Sequence, residues 1–132
     1  YKLLEKRTAE DNIAIPLQIK GISRSVKSAK IKDITHKLKI SQILKQQVRS
    51  LSGGEQQLIA IARAAVHSPT LILADEPTAN LDPRMATRIF DMLTLLNEEG
   101  MTVVVATHDI NLLKAHKKRI LLLKQSALIE VH

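Results

Sequence analysis

The pattern of hydrophobic and polar positions divides the chain into two parts. Up to about residue 47, apolar residues recur at helical spacing within a polar background. From Leu51 onward, the pattern alternates helix, strand, helix, strand. Strands that alternate with helices indicate a parallel sheet covered on both faces, so the second part predicts an α/β layer. The first strand is predicted only near residue 71, which suggests that earlier strands of the sheet lie outside this chain.

Two helices are predicted in the first part. Thr8, with Asp11 three residues on, is a capping pair that begins the first helix, and Pro16 and Gly21 are expected to break it. Ser23 then opens a second, lysine-rich amphipathic helix. The apolar residues on its predicted buried side are Val26, Ala29, Ile34 and Leu38.

Two well-delimited helices are predicted in the second part. Pro69 ends the first of them, over residues 53–67. For the second, Asp82 is a good N-cap, Pro83 occupies the first helical position and Gly100 follows the last turn. The apolar faces of these two helices consist of Leu58, Ile59, Ala62, Ala65 and Val66 in the first, and of Met85, Ile89, Phe90, Leu93 and Leu96 in the second.

The predicted strands of the second part are short. A buried strand over residues 71–74 runs into Asp75, a β-branched strand covers residues 101–106, and another strand covers residues 119–123. A helix over residues 111–117 separates the last two strands. In open α/β sheets ligands bind at the carboxyl ends of the strands, so residues at those ends are the first candidates for chemistry.

Composition limits the classes of protein to consider. The chain has 132 residues, of which 45% are hydrophobic, and this suits one domain or a piece of one. Only 2% are aromatic, so base stacking cannot be a major binding mode. No apolar run approaches the ~20 residues of a membrane span. There is no cysteine and no signal-peptide pattern, so we expect a soluble, cytoplasmic protein.

The positive charge is concentrated in one segment, the basic region from Lys20 to Arg49. The chain carries a formal net charge of +7, and in this region nine basic residues stand against one acid, Asp33. One interpretation is a solvated helical face. Another is a surface for anionic lipid or an acidic partner, since each lysine near such a membrane contributes roughly 1 kcal/mol. Nucleic acid is the weakest option, because no binding motif accompanies the charge.

Two carboxylates, Asp75 and Glu76, end the strand predicted at residues 71–74. One acid at such a position can hold Mg²⁺, usually through water, while its neighbour orients or deprotonates an attacking water. The alternative is that these residues, with Pro77, only begin a turn. His108 stands at the end of the next predicted strand, although isolated histidines are mostly structural.

Paired glycines precede the helix predicted at residues 53–67. Ser52, Gly53 and Gly54 present a hydroxyl and backbone N–H groups to an anion, with the positive end of the helix behind them. Two glycines before a helix, taken alone, would usually be only a cap.

The order and spacing of these motifs decide between the alternatives. The chain carries, in order, LSGGEQQ at residues 51–57, DE at 75–76, ANLD at 79–82 and THD at 107–109. Together they closely resemble the nucleotide-binding domain of ATP-binding cassette (ABC) proteins, over essentially the whole chain. The resemblance implies an α/β fold, namely an incomplete P-loop NTPase (RecA-like) parallel sheet layer preceded by an α-helical signature subdomain. Residues 1–67 are then the helical subdomain ending in the signature helix, and residues 68–132 the C-terminal half of the ATPase core.

The resemblance also implies a role for each matching residue near the helix starts. Ser52, Gly53, Gly54 and Glu55 match the signature loop, which contacts the γ-phosphate of ATP bound by the opposing subunit. Asp82 matches the aspartate at the seam of the dimer. The implied assembly is a homodimer that closes around ATP.

Three further residues match the catalytic positions of the family. Asp75 matches the aspartate that holds Mg²⁺ through water, and Glu76 matches the catalytic general base. His108 matches the switch histidine, which senses the γ-phosphate and helps hold the attacking water. ATP and Mg²⁺ are thus the implied cofactors, and a split site of this kind can couple hydrolysis to movement.

Within the family, the chain resembles a group that contains lipoprotein-release and macrolide-export ATPases and the cell-division protein FtsE. Residues 8–17 match this group, and residues 51–57 and 106–112 are closest to FtsE. The resemblance implies an FtsX-like, permease-type integral membrane partner and a role in cell-wall remodelling at division. It also implies a position on the inner face of the cell membrane, with the basic region near that partner and no specific nucleic acid bound.

Several positions depart from the family pattern. No glycine is followed by lysine, so a phosphate-binding Walker A loop is absent from the sequence, and the Q-loop glutamine would lie just before Tyr1. Leu58 stands where relatives commonly carry Arg, and Ala79 where they carry Gly. Residues 124–127 replace an Asp-Gly turn, which weakens the prediction of a paired last strand. Because the Walker A lysine and amides supply most phosphate contacts, the chain alone is expected to be inactive.

Three alternatives remain beside an FtsE-like ATPase. The first alternative is a nonhydrolysing half-module from a split or decayed gene. The second is the ATPase of a lipoprotein or macrolide exporter. The third alternative is a non-transport ABC ATPase acting on chromosomes or ribosomes. The chromosome-binding kind enters the signature from a long coiled coil, and no sustained heptads precede Leu51.

Overall fold

A computed structural model describes residues 2–116, 118–125 and 127–131. The helices in these residues are α1 (Ala9–Ile19), α2 (Arg24–Lys37), α3 (Gly53–Ala65), α4 (Pro83–Glu98) and α5 (Ile110–His116). The strands are β1 (Leu71–Asp75), β2 (Thr102–Ala106), β3 (Ile120–Lys124) and β4 (Ala127–Val131). Two 3₁₀ turns, Ser41–Ile43 and Val48–Ser50, connect α2 to α3. None of the helices in the described part of the chain has both the length and the apolar character that a membrane span requires.

The first helix begins as predicted and ends just before Gly21, as predicted, but Pro16 does not break it. The Thr8 hydroxyl accepts from the Asp11 amide at 3.1 Å, and the Thr8 amide donates to the Asp11 carboxylate at 3.3 Å. The expectation that Pro16 breaks the helix is wrong, because α1 continues through it. A proline inside a helix costs about 3 kcal/mol. Ile13 and Leu17, on either side of Pro16, are 0% and 1% exposed. Burial of each of these side chains contributes about 1.5–3 kcal/mol, and together they offset the cost of the proline.

The buried side of α2 differs from the predicted one. Ile34 and Leu38 are buried as predicted, but Val26 and Ala29 are exposed. Ile31 occupies the buried face instead, together with Thr35, whose hydroxyl donates to the Ile31 carbonyl at 2.7 Å and so satisfies its own polar group. A helical stripe through residues 31, 34, 35 and 38 continues backward through residues 27 and 28, not through 26 and 29.

Strands β1 and β2 form a parallel pair, as predicted. The expectation that helices cover both faces of this pair is wrong for the described residues. Ile72 is buried in the helical core, and α4 packs against β2. On the opposite face Leu73 is 73% exposed, and Leu71 and Val104 are also exposed. The predicted buried strands therefore bury only alternate residues, because the described helices pack on one face.

The last two strands form an antiparallel hairpin that is separate from the β1–β2 pair. The replaced Asp-Gly turn put the pairing of the last strand in doubt, but that strand is paired: Ile120 pairs with Val131, and Lys124 pairs with Ala127. A two-residue connection joins β3 to β4, and so short a connection allows only antiparallel pairing between them. Residue 117, at the end of the predicted helix 111–117, and residue 126, in the replaced turn, lie outside the described residues.

One hydrophobic core joins α1, α2, α3, α4 and β1. The five apolar residues predicted for α3 are all buried, and those predicted for α4 are buried apart from the half-buried Met85. This core contains residues from both sides of the boundary proposed between residues 67 and 68. The division into a helical subdomain and an ATPase half therefore stays a prediction. A smaller cluster of Ala86, Phe90 and Leu112 attaches α5 to α4.

Candidate functional site

Two strand ends meet at one edge of the β1–β2 pair. The parallel register places Asp75 opposite Ala106, and the Glu76 amide donates to the Ala106 carbonyl at 2.9 Å. Consequently, the carboxylates that follow β1 and the Thr107–Asp109 segment that follows β2 share this edge. This is the placement that the strand-end motifs predicted.

Glu76 and His108 are in direct contact. The Glu76 Oε1 atom lies 2.7 Å from Nδ1 of His108, and the Thr107 hydroxyl donates to Glu76 Oε2 at 3.5 Å. Glu76 has a φ of +43°, a left-handed conformation that non-glycine residues rarely adopt. Such strained backbone costs about 1–3 kcal/mol and persists mainly at functional sites. The carboxylate is therefore held between two side chains from the neighbouring strand end.

The contact changes the proton affinity of His108. The hydrogen bond to Glu76, followed by the charge of Glu76, raises the pKa of His108 above its usual value, and Asp109 adds a smaller contribution. The histidine side chain is 87% exposed, so water screens this interaction. Near neutral pH the ring is then protonated more often than that of an isolated histidine.

We expect the His108 pKa, followed by NMR titration, to lie above about 6.5 and to fall towards that value in Glu76→Gln. A raised folded-state pKa means that this pair stabilises the fold fully below the unfolded pKa and ceases to do so as pH rises through the folded pKa. Glu98→Gln, at the far end of α4, is the matched control and should leave the His108 titration unchanged. An unchanged titration in Glu76→Gln would contradict the ion pair.

Asp75 is a suitable lone ligand for Mg²⁺. Its carboxylate is exposed at the end of β1 and directly precedes Glu76. Mg²⁺ usually keeps several waters and binds proteins through one or two carboxylates. In the described ranges no group of three or more His, Cys, Asp or Glu side chains forms a closed metal cage. The residues present fit a water-mediated Mg²⁺ and not an all-protein site.

The Ser52 loop begins α3 with a reciprocal cap. The Ser52 amide donates to the Glu55 carboxylate at 2.9 Å, and the Glu55 amide donates to the Ser52 hydroxyl at 3.3 Å. That hydroxyl also donates to the same carboxylate at 2.8 Å. Glu55 therefore fixes the orientation of Ser52 at the positive end of the helix, where an anion is favoured.

Gly54 lies against the start of α4, a contact that sequence reasoning missed. A Cβ atom at Gly54 would be 2.6 Å from Cγ of Met85, closer than carbon atoms pack. The Met85 amide is itself satisfied by the Asp82 carboxylate at 3.0 Å, the cap that the sequence predicted. No sequence signal pairs these two helix starts, because they are distant along the chain.

Thr107 and Asp109 of the THD motif make structural hydrogen bonds that the sequence did not predict. The Thr107 hydroxyl accepts from the Asp109 amide at 3.1 Å in addition to its contact with Glu76. The Asp109 carboxylate accepts from the amides of Asn111 and Leu112 at 3.0 and 3.2 Å and so caps α5. An aspartate two residues before the predicted helix 111–117 is the signal that could have found this cap.

A cavity of about 500 Å³ lies between α3 and the end of β1. Gly53, Asp75 and Glu76 line it, whereas Ser52 and His108 do not. Gln57 also lines it, with a buried Oε1 atom that has no hydrogen-bond partner among the described residues. The structure thus brings Glu76 and His108 together directly, and it places Gly53 and the two carboxylates around one cavity.

The comparisons with known proteins agree on the family. The family model described as "ABC transporter" matches residues 1–79. The lipoprotein-releasing system ATP-binding protein LolD of Hyphomonas neptunium is 43% identical over 131 residues, which cover 98% of this chain and 57% of that protein. The cell division ATP-binding protein FtsE of Haemophilus influenzae is 41% identical over 128 residues, which cover 97% of this chain and 59% of that protein.

A solved structure gives the same result for the fold. The structure of a metal-chelate type ABC transporter in an inward-facing conformation matches 99% of this chain and 54% of that chain, with a TM-score of 0.85 and 28% identity. The predicted α/β fold class and the predicted family are confirmed. The chain spans just over half the length of the relatives that it matches.

Proposed function

The chain belongs to the ABC transporter family, and from that premise we propose that it is part of an ATP-hydrolysing subunit of a bacterial ABC-type complex. The observation that carries this proposal is the 2.7 Å contact between Glu76 and His108 at a strand end beside Asp75. A base, its orienting partner and a lone metal ligand at one sheet edge are the groups that nucleophilic attack by water on a phosphate needs.

In this proposal each group at the sheet edge has one task. Glu76 accepts a proton from the attacking water. His108 and the Thr107 hydroxyl keep the carboxylate oriented. Asp75 holds Mg²⁺ through water, and the ion, when bound, neutralises charge on the phosphate oxygens. These groups position water and ion, which is most of what phosphoryl transfer requires from a protein.

The Ser52 loop supplies the second half of the proposed site. The start of α3, with Ser52, Gly53 and Gly54, provides backbone amides and the Ser52 hydroxyl for the γ-phosphate of ATP held by the opposing subunit of a homodimer. To donate to the phosphate, this hydroxyl turns away from the Glu55 carboxylate when nucleotide binds. The Glu55 cap fixes this loop in place before nucleotide arrives. Asp82, which caps α4, lies at the proposed seam between the subunits.

The experiments below use the assembled ATPase, meaning this chain together with the segment that supplies a Walker A loop. In it, Gly53→Leu should lower the equilibrium constant for ATP-dependent dimerisation by about tenfold or more, equivalent to at least about 1.4 kcal/mol. The added side chain occupies the face on which the opposing nucleotide is proposed to sit, while Gly53 remains at the first position of α3. Dimer formation is followed by light scattering with and without Mg-ATP.

Ser25→Leu, which places the same leucine side chain near the start of α2, is the control and should dimerise normally. Thermal unfolding of both variants separates dimerisation from folding. If Gly53→Leu lowers the unfolding temperature enough to explain the lost dimer, the proposed role of Gly53 is wrong.

The finer proposal is an FtsE-like subunit that works with an FtsX-like membrane protein in cell division, on the inner face of the membrane. Residues 8–17, 51–57 and 106–112 support it, and so does the identity to FtsE. The basic region then faces the membrane partner or anionic lipid. Within it Lys37 pairs with Asp33 and Glu99, and Lys45 pairs with Glu10, so part of its charge is already balanced.

A second candidate is the ATPase of a lipoprotein-release or macrolide-export complex, which the 43% identity to LolD favours. A third is a nonhydrolysing half-module. Deletion of the gene discriminates the first two: a division defect supports the FtsE-like function, and retention of lipoproteins in the inner membrane supports release. Turnover by the assembled complex excludes the third.

A further inference from the structure

The starts of α3 and α4 touch without room for a side chain between them. Gly54, the second residue of α3, is buried, and a Cβ atom there would lie 2.6 Å from Cγ and 3.0 Å from Sδ and Cε of Met85. Carbon atoms essentially never approach within 3.0 Å in this way. Only glycine therefore lets the methionine lie on the backbone of α3.

Both sides of this contact are tied to a loop of the proposed site. The Met85 amide donates to the Asp82 carboxylate at 3.0 Å, so Met85 moves with the Asp82 cap. Gly54 stands between Ser52 and Glu55, whose reciprocal cap holds the Ser52 loop. A single methionine thus bridges two loops that are about 30 residues apart along the chain.

We propose that Met85 is a positioning residue that couples the Ser52–Gly54 loop to the Asp82 loop, so that the two shift as one unit during the ATP cycle. The inference rests on the proposed function, in which both loops face the opposing subunit. Close-packed contacts transmit displacement because there is no void to absorb it. An unbranched thioether fills such an irregular space better than a β-branched side chain.

A merely structural role makes a different prediction. If Met85 only filled space, its loss would lower stability and would affect turnover no more than the loss of another methionine in the same helix. Met92 provides that comparison, because it also lies in α4 and is 6% exposed in the main core. The two methionines differ in that Met85 touches Gly54 and follows Asp82.

The test compares five variants of the assembled ATPase by steady-state kinetics and thermal unfolding: Met85→Ala, Met85→Leu, Met92→Ala, Gly54→Ala and the double variant Gly54→Ala/Met85→Ala. We expect Met85→Ala to lower kcat about tenfold with KM changed less than about twofold, a size typical of lost coupling. Met92→Ala should lower the unfolding temperature at least as much and kcat less than about twofold. Met85→Leu, which conserves volume, should keep kcat near wild type.

The double variant gives the sharper result. Gly54→Ala alone displaces Met85 and should lower kcat, whereas removal of Met85 opens the space into which the new methyl group fits. The double variant lacks the coupling methionine, so we expect its kcat to match that of Met85→Ala, about a tenth of wild type, and not to show the product of the two single losses, a non-additive effect. If Gly54→Ala fails to fold, the comparison of Met85→Ala with Met92→Ala still decides.

Equal effects of Met85→Ala and Met92→Ala on kcat would overturn the coupling, as would strictly additive effects in the double variant. Glu76→Gln, assayed in parallel, separates this failure from a failure of the proposed function. If Glu76→Gln abolishes turnover while the Met85 variants behave as packing variants, only the coupling is wrong. If Glu76→Gln leaves turnover intact, the proposed function itself fails.

Discussion

In the assembled ATPase, Glu76→Gln should reduce the turnover of Mg-ATP by about 10²–10⁴-fold while leaving nucleotide affinity nearly unchanged. The amide keeps the size of the carboxylate and can still contact His108, so the shape of the site is retained. It cannot accept the proton of the attacking water, because an amide is not a base at neutral pH. The effect should therefore appear in kcat and not in binding.

The measurement is phosphate release under saturating Mg-ATP, combined with nucleotide binding at equilibrium. Glu98→Gln is the control for an exposed glutamate away from the strand ends, and it should retain wild-type turnover. The 132-residue chain assayed alone sets the background, since its sequence contains no Walker A loop and we propose that it does not hydrolyse ATP by itself. Equal rates for Glu76→Gln and wild type would remove Glu76 from the role of base.

The features of the fold and of the site that could be predicted from sequence are those that depend on neighbouring residues. Helix caps are set by a few adjacent residues, and the caps predicted at Thr8 and Asp82 form as expected. The meeting of Glu76 with the residues after β2 follows from a single assumption, that the two strands run parallel. Strands that are separated by a helix make that assumption a strong one.

The parts that could not be predicted depend on packing between distant segments. Pro16 stays inside α1 because its neighbours are buried by other elements, and no local signal contains that information. The buried side of α2 is chosen by what it packs against, and its own pattern misplaced Val26 and Ala29. The Gly54–Met85 contact is of the same kind, because its cause is the meeting of two helices far apart in sequence.

Exposure of the strands has a related cause. An apolar run such as residues 71–74 predicts burial on both faces, but burial requires layers on both sides. In the part of the chain that the structure describes, helices pack on one side, so Leu73 lies at the surface beside the cavity. The sequence predicted the strand and the sheet edge at which it ends, but it could not show which face of the strand would be covered.

Ile59→Ala should lower the free energy of unfolding by about 2–5 kcal/mol, the range for removing a large aliphatic side chain from a packed core. Ile59 is 0% exposed in the middle of α3, and it belongs to the core that joins this helix to α1, α2 and α4. The truncated side chain leaves a cavity that close-packed neighbours fill only partly. Urea unfolding followed by circular dichroism measures the change.

Ile19→Ala is the matched control, with the same chemical change in a helix at a side chain that is 81% exposed. Its free energy of unfolding should change by less than about 0.5 kcal/mol. A large difference between the two variants means that α3 is held in place by its buried face, so the Ser52 loop at its start is positioned by the core. If the two variants unfold alike, α3 is not anchored by its buried face, and the core does not position the Ser52 loop.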